Sequence, residues 1–256
     1  MDNLSETLKN LDNKLSSKFS TTIKANSTTS EFNIKFPIPL ILNNSLNYEL
    51  GLLWFSTYNA IYNIGAYEFT LIDLKKDNLG IPFEIFTMTP GAYEISEIGL
   101  EMKSQLRSSQ LFSKRDIVLE PKISLHKCIL KLVDVKIQFS KELADVLGFK
   151  ERKVYPPGTH LGERMVNINS VSDINIECDL IEGCYNNGVS SNLLYSFPSN
   201  TVPSGYKLTE RMNPPIYIPI NRKQISNIHI RIVDQNDKII NFNGENISMY
   251  LHLRQV

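Results

Sequence analysis

The sequence predicts an all-β protein, an antiparallel sandwich, and three features carry that expectation. First, the closing stretch holds two alternating segments. Ile228, Ile230 and Ile232 alternate with His229 and Arg231, while Ile247, Met249, Leu251 and Leu253 alternate with Ser248, Tyr250, His252 and Arg254, so each segment shows one apolar face. Second, many further short apolar segments recur with Gly, Pro and Asn turns between them, as at Asp234-Gln235-Asn236-Asp237 and Asn243-Gly244. Third, helical periodicity appears only twice in the body of the chain, too rarely for an α/β scaffold.

From the N-terminus, Leu4, Leu8, Leu11, Leu15 and Phe19 recur at spacings of four and three, the pattern of a one-sided helix. Two readings stand side by side: a helix packed on its own domain, or a helical or flexible arm that docks on a neighbouring subunit. The Ser/Thr-rich stretch Ser20 to Ser30 reads as a linker, which makes residues 1–29 an arm with its linker and residues 30–256 the body. Glu31 to Phe36 then alternates, Pro37 and Pro39 confine it to an edge or bend, and Tyr48 to Phe55 is an apolar run suited to a central strand.

Further strands are expected near Tyr67 to Ile72, Pro82 to Met88, Asp116 to Ile123, Cys128 to Phe139, Asp173 to Leu180, Asn192 to Phe197 and Ile216 to Ile220. One inserted helix begins near Tyr93 with the stripe Ile95, Ile98, Met102 and Leu106. The other follows Ser140 as N-cap and stops at Gly148. Trp54, Ile174, Ile176, Ile230, Ile232, Met249 and Leu251 are expected to point inward. Tyr155 to His160 reads as a long loop, so two β subdomains would meet near 150–165.

The chain has 256 residues, 42% of them hydrophobic, enough for one large or two small domains. Lys plus Arg equals Asp plus Glu at 27 each, so no global field attracts nucleic acid, and strong nucleic-acid binding is not expected; local patches stay open. Cys128, Cys178 and Cys184 form no CxxC pair, and the opening Met1-Asp2-Asn3-Leu4-Ser5-Glu6 lacks the pattern of a signal peptide. The expectation is synthesis in the cytoplasm with reduced thiols. No apolar run approaches the roughly 20 residues of a membrane span.

Chemistry is hard to find in the sequence. His126, His160, His229 and His252 are scattered without metal-ligand spacing, and the P-loop, GxSxG and GxGxxG motifs are absent. Asp173, Glu177 and Asp179, with Glu182 after them, read as a solvated strand face, with calcium ligation and paired-carboxylate chemistry as lesser readings. Arg211, Arg222, Lys223, Arg231 and Arg254 read as a basic patch or as ordinary sheet solvation. No catalytic, cofactor or metal site is expected, and no enzyme activity.

An ordered set of segments carries a resemblance. It comprises Tyr48-Glu49-Leu50-Gly51-Leu52, Tyr58-Asn59-Ala60-Ile61-Tyr62-Asn63, Pro90-Gly91-Ala92-Tyr93-Glu94-Ile95, Leu147-Gly148-Phe149, Leu194-Tyr195-Ser196-Phe197, Gly205-Tyr206-Lys207, Asp234-Gln235-Asn236, Asn241-Phe242-Asn243-Gly244-Glu245 and Leu251-His252-Leu253-Arg254. From about Ser30 onward the chain resembles the penton-type minor capsid proteins of Polinton (Maverick) elements and adintoviruses, virus-like DNA elements integrated in animal genomes. Ala92 stands where the family pattern usually has Ser, and the N-terminal leucine segment is not part of the pattern.

The resemblance implies a jelly-roll fold, a homopentamer at the vertices of an icosahedral particle, and a double jelly-roll major capsid protein as partner. It also implies a place in the virion, with synthesis in the host cytoplasm and assembly in the nucleus. A cyclic assembly needs different left and right contact faces. Candidate interface residues are Leu4, Leu8, Leu11 and Leu15 on the arm, and Tyr185, Tyr206, Pro214 and Pro215 in loops of the body. Two other readings remain: a double jelly-roll major capsid subunit, and a lectin-like binding sandwich.

Overall fold

The computed structural model describes residues 18–74, 83–109, 112, 114–169, 171–186 and 188–256. The chain forms two units, one from Met1–Ala60 with Ser172–Val256 and one from Ile61–Val171. The first unit opens with strands β1 (Ser20–Ser27), β2 (Glu31–Ile41) and β3 (Tyr48–Tyr58). The second holds β4 (Glu68–Ile72), β5 (Phe83–Thr87), helix α1 (Ile95–Ser108), β6 (Asp116–Lys122), β7 (Lys127–Val133), β8 (Lys136–Phe139), helix α2 (Lys141–Leu147), β9 (Val154–Tyr155) and β10 (Gly158–Leu161). The chain then returns to the first unit with β11 (Asp173–Cys178), β12 (Cys184–Asn186), β13 (Val189–Ser191), β14 (Leu193–Pro198), β15 (Lys207–Arg211), β16 (Tyr217–Pro219), β17 (Gln224–Val233) and β18 (Ile247–Gln255).

Two antiparallel sheets build the first unit, in the orders β1-β18-β3-β15 and β14-β11-β17-β2, with β16 also on β3. Leaving aside the short β12, β13 and β16, the pairing is nested. The first strand of the unit pairs with the last (β1 with β18), the second with the seventh (β2 with β17), the third with the sixth (β3 with β15), and the fourth with the fifth (β11 with β14). Such nesting is one long hairpin rolled into two sheets, the topology of a jelly roll. The fold is therefore all-β and antiparallel, as the alternation predicts. Strands β17 and β18, neighbours in sequence, lie in different sheets.

Period-two burial holds this unit together. Ile174, Ile176, Ile230, Ile232, Met249 and Leu251 are fully buried, as predicted. Trp54 is not among them. Along β3, Tyr48, Leu50 and Leu52 face the core, but the register against β18 slips between Tyr250 and Leu251, so Leu53 is an extra residue. A bulge of this kind inverts the alternation, hence Phe55 points inward and Trp54 outward.

Composition also misleads at the start of the chain. Ser20 to Ser27, read as linker, are a strand whose Ile23 and Ala25 are buried while its polar residues face out. Each of the eight residues pairs with β18. Period two with small polar residues satisfies a sheet as well as a linker does. The arm leucines Leu4, Leu8, Leu11 and Leu15 lie outside the described residues.

The second unit has sheets β5-β4-β8-β9 and β10-β7-β6 around its own apolar cluster. The expected strand Cys128 to Phe139 is two strands, because Asp134 takes a left-handed φ of 56° and turns the chain. Helix α1 begins with a capping box in which Glu94 and Glu97 each accept from the other's backbone N–H. It buries Ile98, Met102 and Leu106; Gly99 lets it approach β6, since a Cβ there would sit 3.0 Å from Leu119. Helix α2 starts where the Ser140 hydroxyl accepts from the Leu143 N–H and stops at Gly148, whose φ of 78° favours glycine. Tyr155 to His160, expected as a boundary loop, lies inside this unit on β9 and β10. The chain changes unit at 60/61 and 171/172 instead.

Candidate functional site

The body residues named from sequence lie on β12, before β15, and between β15 and β16 of the first unit. Tyr185 is 73% exposed on β12, and Tyr206 is 66% exposed just before β15, where Gly205 takes a φ of 81°. Pro214, exposed, and Pro215, half-buried, lie between β15 and β16.

A cleft of about 650 Å³ lies on the outer face of the β14-β11-β17 part of the second sheet, beneath the β12–β13 hairpin that carries Tyr185. Its floor includes Asn175, Glu177, Ser196 and Arg231. These polar groups bind each other. Ser196 donates to Asn175 Oδ1 at 2.7 Å, and Arg231 donates to Glu177 Oε2 at 2.6 Å. Burial raises the Glu177 carboxyl pKa above its ordinary value; Arg231 opposes this and Asp237 adds to it. Asp179 likewise accepts from Arg222 at 2.6 Å and from the His229 backbone N–H at 2.7 Å. The acidic strand read as solvated is thus an ion-paired face, with Arg222 and Arg231 spent on it rather than gathered in a basic patch.

Three of the four histidines have structural partners. His252 holds the Ser20 hydroxyl at Nε2 and the Tyr217 hydroxyl at Nδ1, both at 2.7 Å, tying β1, β18 and β16 together. His229 lies 3.2 Å from Glu31. Nε2 of His160 lies 2.7 Å from the Pro156 carbonyl oxygen, and the ring stands edge-on to Tyr155. Among the described residues no three of His, Cys, Asp and Glu are placed to hold a metal ion, and no helix is long and apolar enough to cross a membrane.

With this geometry in view, the chain can be set beside known proteins. No family model matches the sequence, and no curated protein matches it. The crystal structure of the selenomethionine-labelled mavirus penton protein is similar at a TM-score of 0.48 and 11% identity, over 93% of this chain and 100% of that one.

Sequence reasoning missed β15 and the paired arginines. Leu208 is the one fully buried residue of β15, too few for a period-two signal. The Glu177–Arg231 pair joins residues 54 apart, a separation at which no spacing rule operates.

Proposed function

We propose that this chain is a structural capsid subunit, of penton type, that occupies the vertices of an icosahedral shell as a homopentamer. The observation that carries the reading is the nested pairing of eight strands into a single jelly roll. Jelly rolls serve capsids, lectins and cupins alike, and the ordered resemblance to Polinton and adintovirus pentons selects the first. A double jelly-roll major capsid subunit carries two such rolls, whereas the inserted unit here pairs its strands differently, with β4 between β5 and β8, and β7 between β6 and β10. Tyr185, Tyr206, Pro214 and Pro215 are proposed as contacts in the ring, and Leu4, Leu8, Leu11 and Leu15 as an arm on a neighbour.

The test is mass photometry and electron microscopy of the protein alone and with a double jelly-roll major capsid protein. Five-fold rings, free or at shell vertices, are expected. A protein monomeric in both settings, or trimers tiling facets, would overturn the reading. Glycan-array hits without any capsomer would favour the lectin-like alternative.

A further inference from the structure

The strand register draws one row across the outer face of the β1-β18-β3-β15 sheet. Lys24 of β1 lies opposite Tyr250 of β18, Tyr250 opposite Trp54 of β3, and Trp54 opposite Arg211 of β15. All four share the outer face, because the residues beside them, Ala25, Met249, Phe55 and Met212, are buried. The next row on the same face is closed by hydrogen bonds from Ser248 to Asn26 and between Ser56 and Thr209. At a strand spacing of about 4.8 Å the row spans about 14 Å. Its order is cation, ring, ring, cation.

The rings are engaged only with each other and with Lys24, and each keeps part of its surface open. Trp54 and Tyr250 lie with centroids 5.3 Å apart, tilted by 51°, and are half-buried rather than covered. Lys24 Nζ stands 5.6 Å from the Tyr250 centroid. Lys24 and Arg211 are exposed, and neither has a carboxylate within ion-pair distance among the described residues. By contrast, Arg222, Arg231 and Arg254 hold Asp179, Glu177 and Glu49. Gly51 leaves room for the Tyr217 ring, whose carbons come within 2.9 Å of where a Cβ would be.

We propose that this row is a stacking platform for single-stranded nucleic acid, with bases on Trp54 and Tyr250 and phosphates on Lys24 and Arg211. Rings alone would suit an apolar peptide, but unpaired cations at both ends call for anions. A ligand that alternates planar rings with negative charge is a single strand, whereas a duplex keeps its bases stacked inside. The zero net charge of the chain does not oppose this, since the attraction needed is local. The inference goes beyond the vertex reading and is tested without assembly.

Trp54 is the only tryptophan, so emission excited at the red edge of tryptophan absorption, where the tyrosines do not absorb, reports this face alone. Full-length protein is titrated with oligothymidylate of about 12 nucleotides, within the usual span of about 4 to 16 for such platforms. Saturable quenching is expected with a dissociation constant of about 10⁻⁴ to 10⁻⁶ M, weakening as salt rises. Lys24→Glu and Arg211→Glu, both at exposed positions, should weaken binding and flatten the log–log salt slope by about 0.7 for each phosphate left without its cation. Tyr250→Ala should cost about ten-fold and Tyr250→Phe little, with melting curves confirming that each variant is folded. No quenching up to the weak end of that range would overturn the proposal. So would equal binding of a duplex, unchanged binding by the two charge reversals, or dextran sulfate competing equally well while Tyr250→Ala has no effect. Each of these outcomes leaves the vertex reading standing.

Discussion

Phe55 of β3 and Phe197 of β14 meet with ring centroids 5.3 Å apart and planes at 53°, and they belong to opposite sheets of the jelly roll. Both rings are buried, Phe55 completely. Phe55→Ala removes a core ring and leaves a cavity between the sheets, at an expected cost of about 3–5 kcal/mol. Trp54→Ala, one residue away on the outer face, should cost less despite the larger side chain. Urea unfolding of the two variants orders them; a larger loss at Trp54 would mean that the β3 bulge does not set the inward phase.

That pair also shows what the sequence made legible. The alternation of β17 and β18 and the caps of α2 at Ser140 and Gly148 are local, so residue order reveals them. The phase of β3 past Leu53 is not local, because the bulge exists only against β18, some 200 residues later. Strand β1 is hidden for a related reason: its polar half reads as linker until Ile23 and Ala25 find a core. The exposure of Tyr185 and Tyr206 was not separable in sequence from a core role, and Tyr185, expected in a loop, lies on β12; the Lys24, Tyr250, Trp54 and Arg211 row was not legible either. It draws on four strands whose order in the sheet no spacing rule supplies.

The thiols should divide by reactivity. Burial pushes the thiol pKa of Cys128 and of Cys178 up to about 12, leaving almost no thiolate, the reactive form, at pH 8. Cys184 is only half-buried, on β12. Ellman's reagent should therefore titrate one thiol in the native protein at pH 8 and all three after unfolding. Rapid native labelling of Cys178 by mass spectrometry would contradict the buried placement of β11.

Acid stability of the second unit should depend on Glu163. Burial alone would raise its carboxyl pKa, but Lys153 donates to it at 2.6 Å and Tyr155 at 3.0 Å, and these bonds hold it below the ordinary 4.5. Because the folded-state value is depressed, the stability it contributes is full above the unfolded value and is lost as pH falls through the folded one. Glu163→Gln should lower stability at pH 7 and flatten the decline below pH 4.5 relative to wild type. Melting temperatures from pH 7 down to about 3 make the comparison; parallel curves for the two proteins would remove Glu163 from the acid response.

Removing the last strand should abolish folding of the first unit. β18 lies between β1 and β3, so deleting residues 246–256 unpairs both neighbours at once. It also strips out Ile247, Met249, Leu251 and Leu253, each at most 1% exposed. Burial of such side chains contributes about 1.5–3 kcal/mol each, and every ladder hydrogen bond removed adds about 0.5–1.5 kcal/mol. Together these approach or exceed the roughly 5–15 kcal/mol that separates a folded domain from its unfolded chain. The second unit keeps its own apolar cluster, to which none of the deleted residues belongs. Limited proteolysis of the truncated protein should therefore leave a resistant fragment near residues 61–171 and digest the rest. A truncated chain that stays monodisperse, resists protease throughout and melts as wild type does would show that β18 is dispensable and that nested pairing does not hold the sheets together.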